Sequence, residues 1–114
     1  MTVNNAISEN QKITVIFRVE PGSLGPSGAE YIEDFCNFAQ QQLQSSSYCQ
    51  EYIIWCIEPR LDKKLVEMEF HIASKRLPRD KVKQYLNLFG ENLAALEEQL
   101  ENNIEIMIDQ YFGR

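Results

Sequence analysis

Residues Lys12–Glu20 read KITVIFRVE, and this stretch decides the fold class of the chain. Apolar side chains recur at every second position, namely Ile13, Val15, Phe17 and Val19. Alternation with a period of two predicts a β-strand that buries one face, and Pro21 is expected to end it.

The segment after this strand predicts a helix over residues 28–44. A loop rich in Gly and Pro comes first, and Ser27 stands three residues before Glu30 in the form of a capping box. Apolar residues then recur at helical spacing: Tyr31, Ile32, Phe35, Phe38, Ala39 and Leu43. Polar residues lie between them, so the helix is amphipathic.

Two more strands are predicted, over residues 51–58 and 65–73. The first contains the uncharged run Tyr52–Ile57, whose β-branched and aromatic residues favour a strand over a helix. The second alternates, with Phe70 directed inward and His71 outward. Because only a short charged turn separates the two strands, we predict that they pair as an antiparallel hairpin.

Pro78 opens a last helical segment that reaches Phe112. Its apolar residues are spaced alternately by four and three up to Leu100, and the stripe shifts after Asn103. Gly90 lies inside the segment, so either one helix of about 34 residues bends there or two helices meet there. We predict one bent helix, because the spacing continues across Gly90 and a Gly inside a helix costs only about 1 kcal/mol.

The element order β-α-β-β-α predicts one α+β domain over residues 12–114, preceded by a flexible N-terminal arm over residues 1–11. Strand-helix-strand connections are right-handed, which places both helices on one face of a three-stranded sheet. This arrangement resembles a ferredoxin-like fold that lacks its last strand or has a helix in its place. The resemblance concerns architecture alone and implies no function.

The long helix is the first functional clue. About 34 helical residues span about 50 Å, whereas a strand of nine residues spans about 30 Å. The overhanging apolar stripe predicts a homodimer, unless the second half of the segment folds back onto the same core. The second strand adds apolar residues on both of its faces. The candidate interaction surface therefore comprises Ile53, Trp55, Ile57, Leu93, Leu96, Leu100, Ile104, Met107 and Tyr111.

The charge of the chain is segmented. The net charge is −6, yet residues 60–83 carry eight basic and four acidic residues. The candidate patch for an anion or an acidic partner comprises Arg60, Lys63, Lys64, Lys75, Arg76 and Arg79. Because the overall field repels phosphate, the charge disfavours nucleic acid as a partner.

The sequence predicts no catalytic residue, cofactor or metal site. Cys36, Cys49 and Cys56 are scattered, with no CxxC pair, which also indicates a reducing compartment. His71 is the only histidine, and it shares a strand face with Glu67 and Glu69. A solvated strand face explains that trio most simply, although a histidine beside a carboxylate can perform acid–base chemistry.

Three functions follow in order. The first is a non-enzymatic protein–protein interaction or regulatory module that is homodimeric. The second is a small-molecule-binding protein or enzyme with a pocket near His71, and the third is a weak nucleic-acid binder that uses the basic clusters. The chain has no signal-peptide pattern and no apolar run of about 20 residues, so we predict a cytoplasmic protein without a membrane segment.

Overall fold

The computed structural model describes residues 11–45 and 52–114. In chain order the elements are β1 (Ile13–Val19), a 3-10 helix (Pro21–Leu24), α1 (Gly28–Ser45), β2 (Ile53–Pro59), β3 (Met68–Ile72), β4 (Lys75–Arg76), α2 (Arg79–Asn87) and α3 (Leu93–Phe112). The chain forms two compact units, the first ending at Arg76 and the second beginning at Leu77. The predicted α+β composition and the long C-terminal helix are confirmed. The predicted arm, apart from Gln11, lies outside the described residues, as do Cys49 and Glu51.

The sheet belongs to the first unit, and its strand order is β2-β1-β3-β4. β1 runs parallel to β2 and antiparallel to β3, so it is flanked on both edges. The predicted hairpin between β2 and β3 is therefore wrong, and the three-stranded ferredoxin-like topology is not confirmed. The residues from Arg60 to Glu67 carry the chain from β2 to the far side of β1. A period of two predicts strands, but it does not determine which strands become neighbours.

The fourth strand has no counterpart in the prediction. β4 pairs with the end of β3 in the register His71↔Arg76 and Ile72↔Lys75. The two turn residues, Ala73 and Ser74, have positive φ angles of 50° and 68°. Such two-residue hairpins are usually recognised by Asn-Gly or Asp-Gly, which this turn lacks.

The two faces of the sheet differ in burial. One face carries the buried residues of the sheet core, namely Ile13, Val15, Phe17, Ile53, Trp55, Ile57 and Phe70. α1 packs against β2 and buries its own apolar residues, among them Phe35 and Ala39. We call the other face the outer face, and it carries Thr14, Ile16, Arg18, Ile54, Cys56, Glu58, Glu69 and His71. Phe70 lies on the opposite face from Glu69 and His71, as predicted. The Glu69 side chain is only 11 % exposed, however, so this face is not simply solvated.

The C-terminal segment is two helices, so the prediction of one bent helix is wrong. α2 ends at Asn87, and Gly90 adopts a φ of +74°, a left-handed conformation that no helix interior contains. The Glu91 N–H donates to the Leu86 carbonyl at 2.9 Å, which closes the end of α2. The Asn92 side chain then accepts from the Ala95 N–H at 3.0 Å and caps α3. The apolar spacing did not reveal this break: Leu86 and Leu93 on either side are buried, whereas Phe89 between them is 38 % exposed.

Length alone does not make a helix fit a bilayer. α1 has 18 residues and α3 has 20, and both carry several polar side chains. Within residues 11–45 and 52–114, no helix is long and apolar enough to cross a membrane.

Candidate interaction surface

The connection between β2 and β3 is an ordered loop, which we call the 60–66 loop (Arg60 to Val66). Arg60 turns its guanidinium inward: Nε donates to the Leu65 carbonyl at 2.9 Å and Nη2 to the Lys63 carbonyl at 3.3 Å. Its Nη1 donates to Glu20 Oε1 at 2.9 Å. The cation predicted to lie in a binding patch therefore holds the loop together from within.

Two further residues fix the loop from either side. Asp62 Oδ1 accepts from the Lys64 N–H at 2.9 Å, and its carbonyl accepts from the Leu65 N–H at 3.0 Å. Arg18 Nη1 donates to the Val66 carbonyl at 2.8 Å. A loop ordered before binding loses less conformational entropy when a partner docks.

The exposed side chains of this loop are apolar or cationic, apart from Asp62, whose carboxylate accepts from the Lys64 N–H. Leu61 is 73 % exposed, and Leu65 and Val66 are each 41 % exposed. Lys63 and Lys64 are exposed as well, and neither is in an ion pair within the described part of the chain. The predicted strand over residues 65–73 includes Val66, but β3 begins only at Met68. Apolar side chains beside unpaired lysines suit an acidic protein surface with its own apolar contact.

A charged cluster on the outer face anchors the base of the loop. Arg18 of β1 is only 7 % exposed. Its Nε donates to Glu58 Oε1 of β2 at 3.1 Å, and its Nη1 donates to Glu69 Oε1 of β3 at 2.8 Å. One guanidinium thus joins three neighbouring strands and, through the Val66 carbonyl, the 60–66 loop.

Glu69 is shared between Arg18 and His71. The His71 Nε2 donates to Glu69 Oε2 at 2.9 Å, and Arg76 Nε lies 3.9 Å from the same oxygen. The hydrogen bond from His71, followed by that from Arg18, lowers the pKa of the Glu69 carboxyl below its usual value. The predicted association of His71 with Glu69 is thus present, but the carboxylate already neutralises a buried arginine. A pocket near His71 stays a prediction.

The low pKa of Glu69 predicts an acid-dependent loss of stability. Because the pKa of Glu69 is lower in the folded protein, its ionised carboxylate stabilises the fold. This contribution is complete when the pH is above the unfolded-state pKa of 4.5, and it is lost as the pH falls through the lower pKa of the folded state. We expect the difference in unfolding free energy between wild type and Glu69→Gln to shrink from about pH 5 to about pH 3. Urea unfolding at several pH values measures it. A difference that stays constant over that range would contradict the role of the Glu69 charge.

The second unit presents an acidic stripe, which we define as Glu98, Glu101 and Glu105 of α3. These residues are exposed and spaced by three and four, and none is in an ion pair within the described residues. Like charges at that spacing destabilise a helix by about 0.2–0.5 kcal/mol per pair. Ile106, which is 54 % exposed, borders the stripe. The like charges of the stripe therefore destabilise α3. The stripe combines carboxylates that are in no ion pair among the described residues with an exposed apolar side chain.

A cavity of about 290 Å³ lies in the second unit. Its lining comprises Arg79, Lys83, Asn87, Asn92, Leu93 and Ala94. Arg79 binds Glu97 through both of its terminal nitrogens, at 2.8 and 3.1 Å, so its charge is already used. These bonds raise the pKa of Arg79.

The residues predicted to form the interaction surface lie mostly in the interior. Eight of the nine are buried, and only Tyr111 is partly exposed. Of the predicted basic patch, Arg60, Arg76 and Arg79 lie near carboxylates of their own chain. Within the described residues, the cations of that set that are in no ion pair are Lys63, Lys64 and Lys75. The 60–66 loop as an apolar surface was not predicted, although Leu61, Leu65 and Val66 beside two lysines were its visible signal.

The cysteines in the described residues are poor nucleophiles. Burial raises the pKa of the Cys36 thiol to about 12, and burial likewise raises the pKa of Cys56 on the outer face. Thiolates are the reactive form, so both side chains are held in the unreactive state at neutral pH. Among the described residues, no group of three His, Cys, Asp or Glu side chains could hold a metal ion.

The fold and surface thus describe an α+β protein with an ordered, apolar and cationic loop. No protein-family model, curated protein or solved structure matches the chain.

Proposed function

We propose that the protein is a non-enzymatic, homodimeric interaction module, in which the 60–66 loop of one copy contacts the acidic stripe of another. The observation that carries the proposal is the loop itself, whose internal hydrogen bonds direct Leu61, Leu65 and two unpaired lysines outward. A loop that only connected β2 to β3 would need neither exposed leucines nor an arginine bonded to its own carbonyls.

Charge complementarity favours a second copy as the partner. Two lysines on the loop match three glutamates on the stripe, none of which is in an ion pair in the part of the chain that the structure describes. Each surface also exposes apolar side chains. Complementary potentials of this kind select a partner and fix its register. Complete burial of one leucine contributes about 1.5–3 kcal/mol, so the apolar side chains supply the affinity that exposed ion pairs lack.

The net charge of −6 on each copy opposes association. This repulsion acts between charges that are farther apart than those in direct contact at the interface. At physiological ionic strength the Debye length is about 8 Å, which screens most of the repulsion between two whole molecules. Opposite charges in direct contact are closer than that and are screened less. We therefore expect a reversible dimer at about 0.15 M salt that weakens at about 0.5 M.

Reversal of the loop charges is expected to abolish the dimer. Sedimentation velocity over a range of protein concentrations would compare wild type with the double variant Lys63→Glu/Lys64→Glu. The matched control is Lys81→Glu/Lys83→Glu, which makes the same change in net charge at two exposed lysines of α2. We expect the control to dimerise much more strongly than the loop variant.

A charge exchange tests the partner surface. Glu101→Lys/Glu105→Lys is expected to weaken self-association alone, and to form a mixed dimer with Lys63→Glu/Lys64→Glu. A wild-type protein that is monomeric at every concentration contradicts the proposal. Equal loss of association in the loop variant and the α2 control contradicts it as well.

A further inference from the structure

Gln40 of α1 binds the backbone of β2 with both ends of its side-chain amide. Its Nε2 donates to the Trp55 carbonyl at 2.7 Å, and its Oε1 accepts from the Ile57 N–H at 2.7 Å. Both bonds are short for N–H···O contacts. In the sequence, Gln40 follows buried Ala39 and lies one helical turn after buried Cys36, so it is a polar residue at the edge of the buried side of α1. That position was its only signal in the sequence.

These bonds lie on the edge of β2 that faces away from β1. The Ile13 N–H donates to the Tyr52 carbonyl, so Tyr52 directs its carbonyl toward β1. Backbone groups alternate in direction along a strand, which places those of Trp55 and Ile57 on the opposite edge. In the strand order of the described sheet, β2 is the terminal strand.

The Gln40 amide has the bonding pattern of a residue in a parallel neighbouring strand. Such a residue donates to one carbonyl and accepts from the N–H two residues later, which is the spacing of Trp55 and Ile57. The side chain therefore occupies two of the backbone bonding groups that an added strand would need.

The sequence of β2 explains why this edge needs cover. The run Tyr52–Ile57 contains no charge, Gly or Pro and is rich in β-branched and aromatic residues. Edge strands of that composition are templates for pairing with another chain. The β2 edges of two copies can pair with each other, because no charge in either run would oppose the contact.

We infer that Gln40 keeps the outer edge of β2 from pairing with the same edge of a second copy. This role goes beyond the proposed dimer, which uses the 60–66 loop and acidic stripe. This role also differs from stabilisation of the fold by two hydrogen bonds. It predicts that the edge of β2 pairs with another copy once the Gln40 amide is removed.

Three variants separate these roles. Gln40→Leu removes the amide from the Trp55 carbonyl and the Ile57 N–H and adds no charge at this edge. Gln40→Glu removes the donor to Trp55 but places a charge at the edge, as charged side chains do on protected edge strands. Gln41→Leu adds the same apolar side chain at an exposed neighbouring position.

Sedimentation velocity at about 0.5 M salt, where the loop contact is weakened, gives the size of each variant. We expect Gln40→Leu to shift to dimers and larger assemblies, while Gln40→Glu and Gln41→Leu keep the wild-type size. Urea unfolding should show that Gln40→Leu and Gln40→Glu both lose stability, so loss of stability alone does not produce the shift.

Three results would overturn the inference. They are a folded Gln40→Leu that keeps the wild-type size, equal self-association in Gln40→Glu, and equal self-association in Gln41→Leu. Circular dichroism at low concentration establishes that each variant is folded. A monomeric wild type would defeat the proposed dimer and leave this inference intact.

Discussion

Replacement of Arg18 with methionine is expected to lower the free energy of unfolding by about 3–5 kcal/mol. Arg18 is 7 % exposed, and its guanidinium binds Glu58, Glu69 and the Val66 carbonyl. Methionine fills much of the volume but leaves the Glu69 carboxylate, whose side chain is 11 % exposed, without its closest cation. The Glu69 carboxylate keeps its hydrogen bond from His71. A largely buried charge that loses its nearest cation nevertheless costs more than the net contribution of the original ion pair.

The control for this prediction is Arg76→Met. The Arg76 side chain is 60 % exposed and lies 3.9 Å from Glu69, so its loss should cost about 0–1 kcal/mol. Urea unfolding of both variants gives the comparison. Arg18→Met/Glu69→Leu should recover part of the loss, because removal of both partners leaves no unpaired charge between them. Equal losses for Arg18→Met and Arg76→Met would show that the Arg18 cluster does not join the strands as described.

Gly28→Ala is the second large effect, and we expect it to destabilise the protein by about 2–3 kcal/mol. Gly28 is the first residue of α1 and is buried against the preceding 3-10 helix. A Cβ at this position would collide with the carbonyl carbon and oxygen of Pro21 and crowd the Leu24 Cβ at 3.3 Å. Backbone atoms cannot rotate away as a flexible side chain can, so the start of α1 must shift. This cost exceeds the gain of about 1 kcal/mol from the helix propensity of alanine.

Gly22→Ala is the matched control for the clash. Gly22 lies in the same connection, and a Cβ added there would meet no heavy atom within 4 Å beyond its chain neighbours. We expect its unfolding free energy to stay within about 0.5 kcal/mol of wild type. Thermal or urea unfolding measures both variants. A Gly28→Ala protein as stable as Gly22→Ala would mean that the chain around Pro21 yields easily.

Sequence patterns were most reliable where one repeating period governed a whole element. Alternation in β1 and helical spacing in α1 each predicted an element within about two residues of its observed ends. The same reasoning failed at Gly90, because apolar spacing persisted through a break in the backbone. It also missed β4, whose turn adopts positive φ angles at Ala73 and Ser74 without the usual glycine.

The site was less accessible to prediction than the fold. Arg18 lies within the predicted first strand, but its near-complete burial depends on carboxylates contributed by β2 and β3. Arg60 was assigned to a binding patch, whereas its hydrogen bonds are directed to the loop it begins. Gln40 was not singled out, since its role depends on an edge that exists only in the assembled sheet.

The sequence by itself determined the strand and helix periods, the α+β class and the segmented charge, because each depends on residues close together in the chain. Only the tertiary structure decided that β1 separates β2 from β3 and that one arginine joins all three. It alone showed that the chain buries most of the apolar stripe while exposing the leucines of the 60–66 loop. Strand order and burial arise from contacts between distant residues, and local periodicity carries no information about which distant residues will meet.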